Sequence, residues 1–197
     1  MKHTSALTLA LTLLGFAGFQ PAYDAAGQTG GAWTTILDGS SLKGWDVVGT
    51  ANWSVADGAV QASMGTGFLV TPMPYGDFQI TLDFWVTDDA NSGVFIRCAD
   101  PKTINAMNAY EVNIYDKRPD QSYRTGGIVD VAKPASVVMT GGKWNTMDIT
   151  ARGTKLTVLV NGMRMVDVDD KAHARGPIAL QYGAGTVKFK NVRIRTL

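Results

Sequence analysis

The chain is poor in the residues on which most active sites are built. It has one Glu (Glu111), one Cys (Cys98) and two His (His3 and His173) among 197 residues. An all-cysteine or Cys₂His₂ zinc site is impossible within one chain, as are a three-histidine metal site and an intramolecular disulfide. Neither sign of charge predominates. Eighteen Lys and Arg against seventeen Asp and Glu leave +1, so no strong field draws the chain to nucleic acid or an anionic membrane. The near-absence of Glu beside 22 Gly disfavours a helical bundle and favours strands joined by Gly and Asp turns. The composition calls for no cofactor and no metal.

The N-terminus reads as an export signal. Lys2 and His3 precede an uncharged, mostly apolar run, Ala6 to Phe19, too short to span a bilayer. Small residues follow, and cleavage after Gly27 leaves a single domain over residues 28–197. The expected location is periplasmic or secreted, with no membrane attachment after signal removal. The oligomeric state is left open.

Beyond residue 27 the chain alternates rather than repeating with helical period. Asp57-Gly58 and Asn161-Gly162 are hairpin turns, because these pairs tolerate positive φ. About twelve strands are expected, with no intervening helix. This pattern suits an antiparallel β-sandwich. The segment Asp116–Lys143 reads as a long loop with one short strand near Gly127–Val131.

Three successive strands, near Phe78–Val86, Val94–Cys98 and Tyr110–Tyr115, can be aligned as a meander. Pairing Val86 with Val94 places Asp83 opposite Arg97 and Trp85 opposite Phe95. Parity along the strands adds Glu111, Asn113 and Tyr115 to that face. Trp85, Phe95 and Tyr115 can stack on sugar rings, while the carboxylates, Asn and Arg bind hydroxyls. Two carboxylates are also the minimum for glycosidic acid/base chemistry. An ion pair between Asp83 and Arg97 on an ordinary sheet face fits the same alignment equally well. Cys98 is read as a small core residue, and the Asp-rich runs near 88–91 and 167–170 as turns.

The motifs follow an order that resembles a known family. They run Leu37-Asp38-Gly39, Gly44-Trp45, Trp53-Ser54-Val55, Asn91-Ser92-Gly93-Val94-Phe95-Ile96-Arg97 and Tyr110-Glu111-Val112-Asn113-Ile114-Tyr115-Asp116. Thr125-Gly126-Gly127-Ile128, Lys143-Trp144-Asn145, Val160-Asn161-Gly162, Gly176-Pro177-Ile178-Ala179-Leu180-Gln181 and Val187–Leu197 complete the set. Together they resemble the 3-keto-disaccharide hydrolase domain, formerly a bacterial domain of unknown function, across about the whole mature chain. The family commonly has Gln where this chain has Asn113, and a His or acidic residue where it has Tyr182.

The resemblance implies a concanavalin A-like jelly roll, a carbohydrate ligand and activity on sugars oxidised at C3. On that chemistry we assign Glu111 as base, Arg97 as partner of the ketone or enolate oxygen, and Asp83 or Asp116 as the second carboxyl group. Trp85, Asn113, Tyr115, Tyr123 and Gln181 would orient the sugar. A non-catalytic carbohydrate-binding module on the same fold is the alternative, and a structural domain is a third.

Overall fold

The computed structural model describes residues 30–197. The expected export signal lies outside the described residues. Within them the chain is an all-β antiparallel sandwich.

The larger sheet has eight strands. Its path runs β11 (Met163–Asp169), β10 (Lys155–Val160), β9 (Trp144–Arg152), β6 (Phe78–Val86), β13 (Val187–Thr196), β4 (Ala59–Ala62) and β3 (Ser54–Ala56), and β1 (Thr34–Leu37) adds to β13. The smaller sheet runs β2 (Asp46–Gly49), β5 (Gly67–Val70), β12 (Ala179–Ala184), β7 (Asn91–Ile96) and β8 (Tyr110–Ile114). Asp57-Gly58 and Asn161-Gly162 do turn two of the hairpins, both residues of each pair having positive φ.

Alternation decides what is buried. Phe78, Ile80, Leu82, Phe84 and Val86 of β6 enter the core between the sheets. Val94 and Ile96 of β7, Val112 and Ile114 of β8, and Phe189 and Val192 of β13 meet them there. A second, smaller cluster lies on the outer face of the five-stranded sheet. There the chain beyond β7 folds back and buries Val70, Phe95, Ala179, Cys98 and Ala109.

The expected meander does not form. β6 is flanked on both edges, by β9 and by β13, so it has no free edge to offer β7. Residues 87–90 instead carry the chain across the sandwich into the other sheet. The expected face is therefore split in two. Asp83 and Trp85 lie outside one sheet, while Glu111 and Asn113 lie outside the other.

Candidate functional site

Glu111 sits on β8, at the edge of the five-stranded sheet. Tyr110, Val112 and Ile114 face the core, so parity turns Glu111 and Asn113 outward. Register puts Glu111 beside Phe95, and Asn113 beside Gly93 and then Gln181. Phe95 is closed over by the outer cluster. The neighbouring row stays open because Gly93 has no side chain. A Cβ on Gly93 would lie 3.5 Å from Gln181 Oε1 and 3.5 Å from Glu111 Cγ. A slot the width of a methyl group thus separates the amide from the carboxyl side chain.

The free edge of β8 is covered by the long loop, so it presents no exposed ladder. Asn113 N–H donates to Gly127 O at 2.9 Å, Gly126 N–H to Asn113 O at 2.9 Å, and Val129 N–H to Glu111 O at 3.0 Å. The short strand expected near residues 127–131 is reduced to isolated bridges at Ile128. The Asn113 amide donates to Tyr123 O at 2.5 Å. The Tyr123 ring lies 5.9 Å from the Arg118 guanidinium.

Burial pushes the Glu111 carboxyl group up to about 7; the Arg118 charge opposes this and Asp130 reinforces it. Among the described residues, none donates a hydrogen bond to that carboxyl group. Gln181 Oε1 and Asn113 Oδ1 are buried with no hydrogen-bond partner among the described residues. An unsatisfied buried carbonyl costs about 1–3 kcal/mol. Two of them, on β8 and β12 either side of Gly93 on β7, lie beside a carboxyl group whose burial holds it near 7, a setting suited to a ligand rich in hydroxyl donors.

Of the residues read from sequence, Glu111, Asn113, Tyr123 and Gln181 come together here. Tyr115 follows them on β8's outward parity, half-buried, with its N–H donating to Thr125 Oγ1 at 2.9 Å. Four others do not join them.

Arg97 is 1% exposed and belongs to the scaffold. Its φ of +54° inverts the alternation after Ile96, which also sends Cys98 to the outer cluster rather than to the Val94 and Ile96 face. The Arg97 guanidinium donates to Gly76 O, Gly153 O and His173 O and pairs with Asp77. Asp83 accepts from Thr146 Oγ1 and Asn191 Nδ2 on the other sheet, and Trp85 lies under Lys188 there. Asp116 is 6% exposed and is consumed by the loop: Thr125 Oγ1, Thr140 N and Oγ1, and Gly141 N all donate to it.

Arg118, Asp130 and Gly93 were missed as site residues. The first two sit in an irregular loop where no periodicity reports a direction. Gly93 has no side chain by which to be noticed, although it lies inside a motif that carried the family resemblance.

Cys98 is no nucleophile, since burial pushes its thiol up to about 12. The Asp-rich runs are engaged in the scaffold: Asp88 with Lys117, Asp167 with Lys155 and Arg164, and Asp170 with the Tyr110 hydroxyl.

Solved structures share this architecture. One, a candidate glycosyl hydrolase from Parabacteroides distasonis, superposes with a TM-score of 0.73 at 25% identity, over 84% of this chain and 100% of that one. A second candidate glycosyl hydrolase from the same organism gives 0.76 at 20% identity, over 84% and 94%. A carbohydrate-binding module, CBM66 from Bacillus subtilis, gives 0.62 at 17% identity, over 82% and 98%, and shares the fold. No curated protein matches the chain. The motif order read from the sequence agrees with a family model that matches residues 32–195, and the chain belongs to that family, the 3-keto-alpha-glucoside-1,2-lyase-like domain.

Proposed function

We propose that this protein is an exported enzyme that cleaves glycosides carrying a ketone at C3, with Glu111 as the base. The observation that carries the reading is that Gln181 Oε1 and the Glu111 side chain flank the bare Cα of Gly93, whose cross-strand partner is Asn113. A sugar ring brings the hydroxyl donors that the two orphan carbonyls need.

The C3 ketone acidifies the C2 proton. Glu111 removes it, and the C2–H electron pair forms the C1=C2 bond as the C1–O bond breaks. The departing oxygen takes a proton, which the newly protonated Glu111 can return. Water addition across the double bond then gives the free 3-keto sugar, so the net change is hydrolysis. A carboxyl group held near 7 is suited to both taking and returning a proton. Arg118, whose charge reaches Glu111, supplies the cation for the enolate oxygen in place of the buried Arg97. Export rests on the charged, then apolar N-terminal residues.

The test is release of free sugar from a 3-keto-α-glucoside and from its unoxidised parent. Only the former should be cleaved, and Glu111→Gln should lower the rate by roughly 10²–10⁴-fold. Full activity in Glu111→Gln would remove Glu111 from the mechanism. The sandwich shared with CBM66 supports a second reading, a binding module without turnover. Tight binding of the unoxidised sugar, with neither sugar cleaved, would favour it.

A further inference from the structure

The outer face of the eight-stranded sheet carries a feature that Glu111 chemistry does not use. Every outward side chain of β13 on either side of its bulge is a cation: Lys188, Lys190, Arg193 and Arg195. Each lies against an indole. Lys190 Nζ is 4.0 Å from the ring of Trp144, and Lys188 Nζ is 5.4 Å from that of Trp85. The Arg193 and Arg195 guanidinium groups lie 5.7 and 5.0 Å from Trp33. Trp85 and Trp144 are direct cross-strand partners, and Trp33 and Trp144 are 39% and 41% exposed.

A ring face holds a cation in place without neutralising its charge. Among the described residues, Lys188, Lys190 and Arg193 are in no ion pair. Four carboxylates share this face: Asp83 and Asp148 on β6 and β9, and Asp167 and Asp169 on the distal strand β11, where they pair with Lys155. Asp83 accepts from Thr146 Oγ1 at 3.0 Å and from Asn191 Nδ2 at 2.7 Å rather than from a lysine. The β13 bulge at residues 190–193, with Asn191 at φ +52°, opens the face beside Asp83. One recess there, of about 410 Å³, is lined by Thr35, Thr81, Asp83, Thr146, Asn191 and Arg193. A second, of about 320 Å³, adjoins it between Trp144, Asn161 and Lys190.

We infer that this face is a second carbohydrate site, on the side of the sandwich away from Glu111, and that its ligand is an anionic polysaccharide built of uronic acids. Indoles stack on the C–H faces of sugar rings, and the flanking ammonium and guanidinium groups pair with carboxylates at regular intervals along the polymer. Around β13 its four cations outnumber the two carboxylates of the neighbouring strands β6 and β9, so charge complementarity there selects an acidic chain over a neutral one. The inference does not depend on the reaction proposed for Glu111.

Calorimetric titration of the protein with an oligogalacturonate tests it. Binding should be measurable at about 50 mM salt and weaken about tenfold or more by about 300 mM, where screening shortens the reach of the cations. Lys190→Ala and Trp144→Ala should each weaken binding about tenfold with an unchanged melting temperature, and Glu111→Gln should bind like the parent. Absence of binding at the lower salt would overturn the inference. So would equal affinity for a neutral oligosaccharide of the same length, or affinity unchanged in both surface variants. Loss of binding in Glu111→Gln would move the ligand to the other face. Tighter binding of a single-stranded oligonucleotide would make the face a polyanion surface, not a glycan site.

Discussion

Glu111 acts as a base only when ionised, and its carboxyl group is held near 7 mainly by burial. Below that value the rate of sugar release should fall about tenfold per pH unit, and above it the rate should level off. The opposite sign holds for stability. The folded chain binds this proton more tightly than the unfolded chain, whose value is near 4.5, so the contribution is complete below 4.5 and lost as pH rises through about 7. Glu111→Gln should abolish both dependences together. Gly93 gives a sharper test of the slot. Its φ is not in the left-handed region, so alanine suits the backbone, and the new Cβ would meet Val112 O at 3.2 Å, a contact that needs only slight give. The same methyl would fill the space between Gln181 and Glu111. Gly93→Ala should therefore fold with a melting temperature within about 4 °C of the parent, the shift that ~1 kcal/mol produces at this size. Its KM for the 3-keto substrate should rise about tenfold or more. Unchanged KM would show that the sugar does not enter between those two side chains.

At the scale of elements, the loop from Asp116 to Lys143 does what its composition did not reveal. It supplies backbone partners to the free edge of β8 and brings Arg118, Tyr123 and Asp130 towards Glu111. One buried carboxylate ties its two ends together, since Asp116 accepts from Thr125 at one end and from Thr140 and Gly141 at the other. Asp116→Ala leaves those donors unsatisfied and should cost about 3 kcal/mol. Faster proteolytic cleavage within the loop and weaker sugar release should accompany it, although Asp116 touches no substrate. Retained loop protection would mean that the edge pairing alone holds the loop. Alternation made the outward turn of Glu111 and Asn113 legible, because strand parity is local. It could not say which strands share a sheet. Val86 and Val94 stand eight residues apart around a turn-like stretch, which is the spacing of a hairpin, yet β6 has both edges filled by β9 and β13. Those partners pair with residues 59 to 118 positions earlier in the chain, beyond the reach of any short-range pattern. The left-handed residue at Arg97 broke parity for a second reason: Asn and Asp are the usual non-glycine residues there, and an Arg gives no such signal.

Across the whole molecule, Arg97 shows what an inward charge does for a sandwich. It leaves the end of β7 in one sheet and gathers carbonyls from three connections: Gly76 before β6, Gly153 in the β9–β10 turn, and His173 between β11 and β12. Asp77 pairs with it and also accepts the Gly153 N–H at 2.8 Å, so the guanidinium and its counter-charge pin the same turn. The side chain is buried and fully engaged, far from a substrate role. Lysine keeps the charge but loses the planar fork that reaches several acceptors at once. Arg97→Lys should therefore lower unfolding stability by about 3 kcal/mol or more, as for a buried charge stripped of part of its partners. The denaturant midpoint should fall with little change in slope, because the same surface is exposed on unfolding. Turnover per folded molecule, measured well below the melting transition, should stay close to the parent value. If Arg97 instead held an enolate oxygen, the two results would exchange places: stability would be nearly preserved and turnover would drop by about 10²–10³-fold, the usual loss of an oxyanion partner.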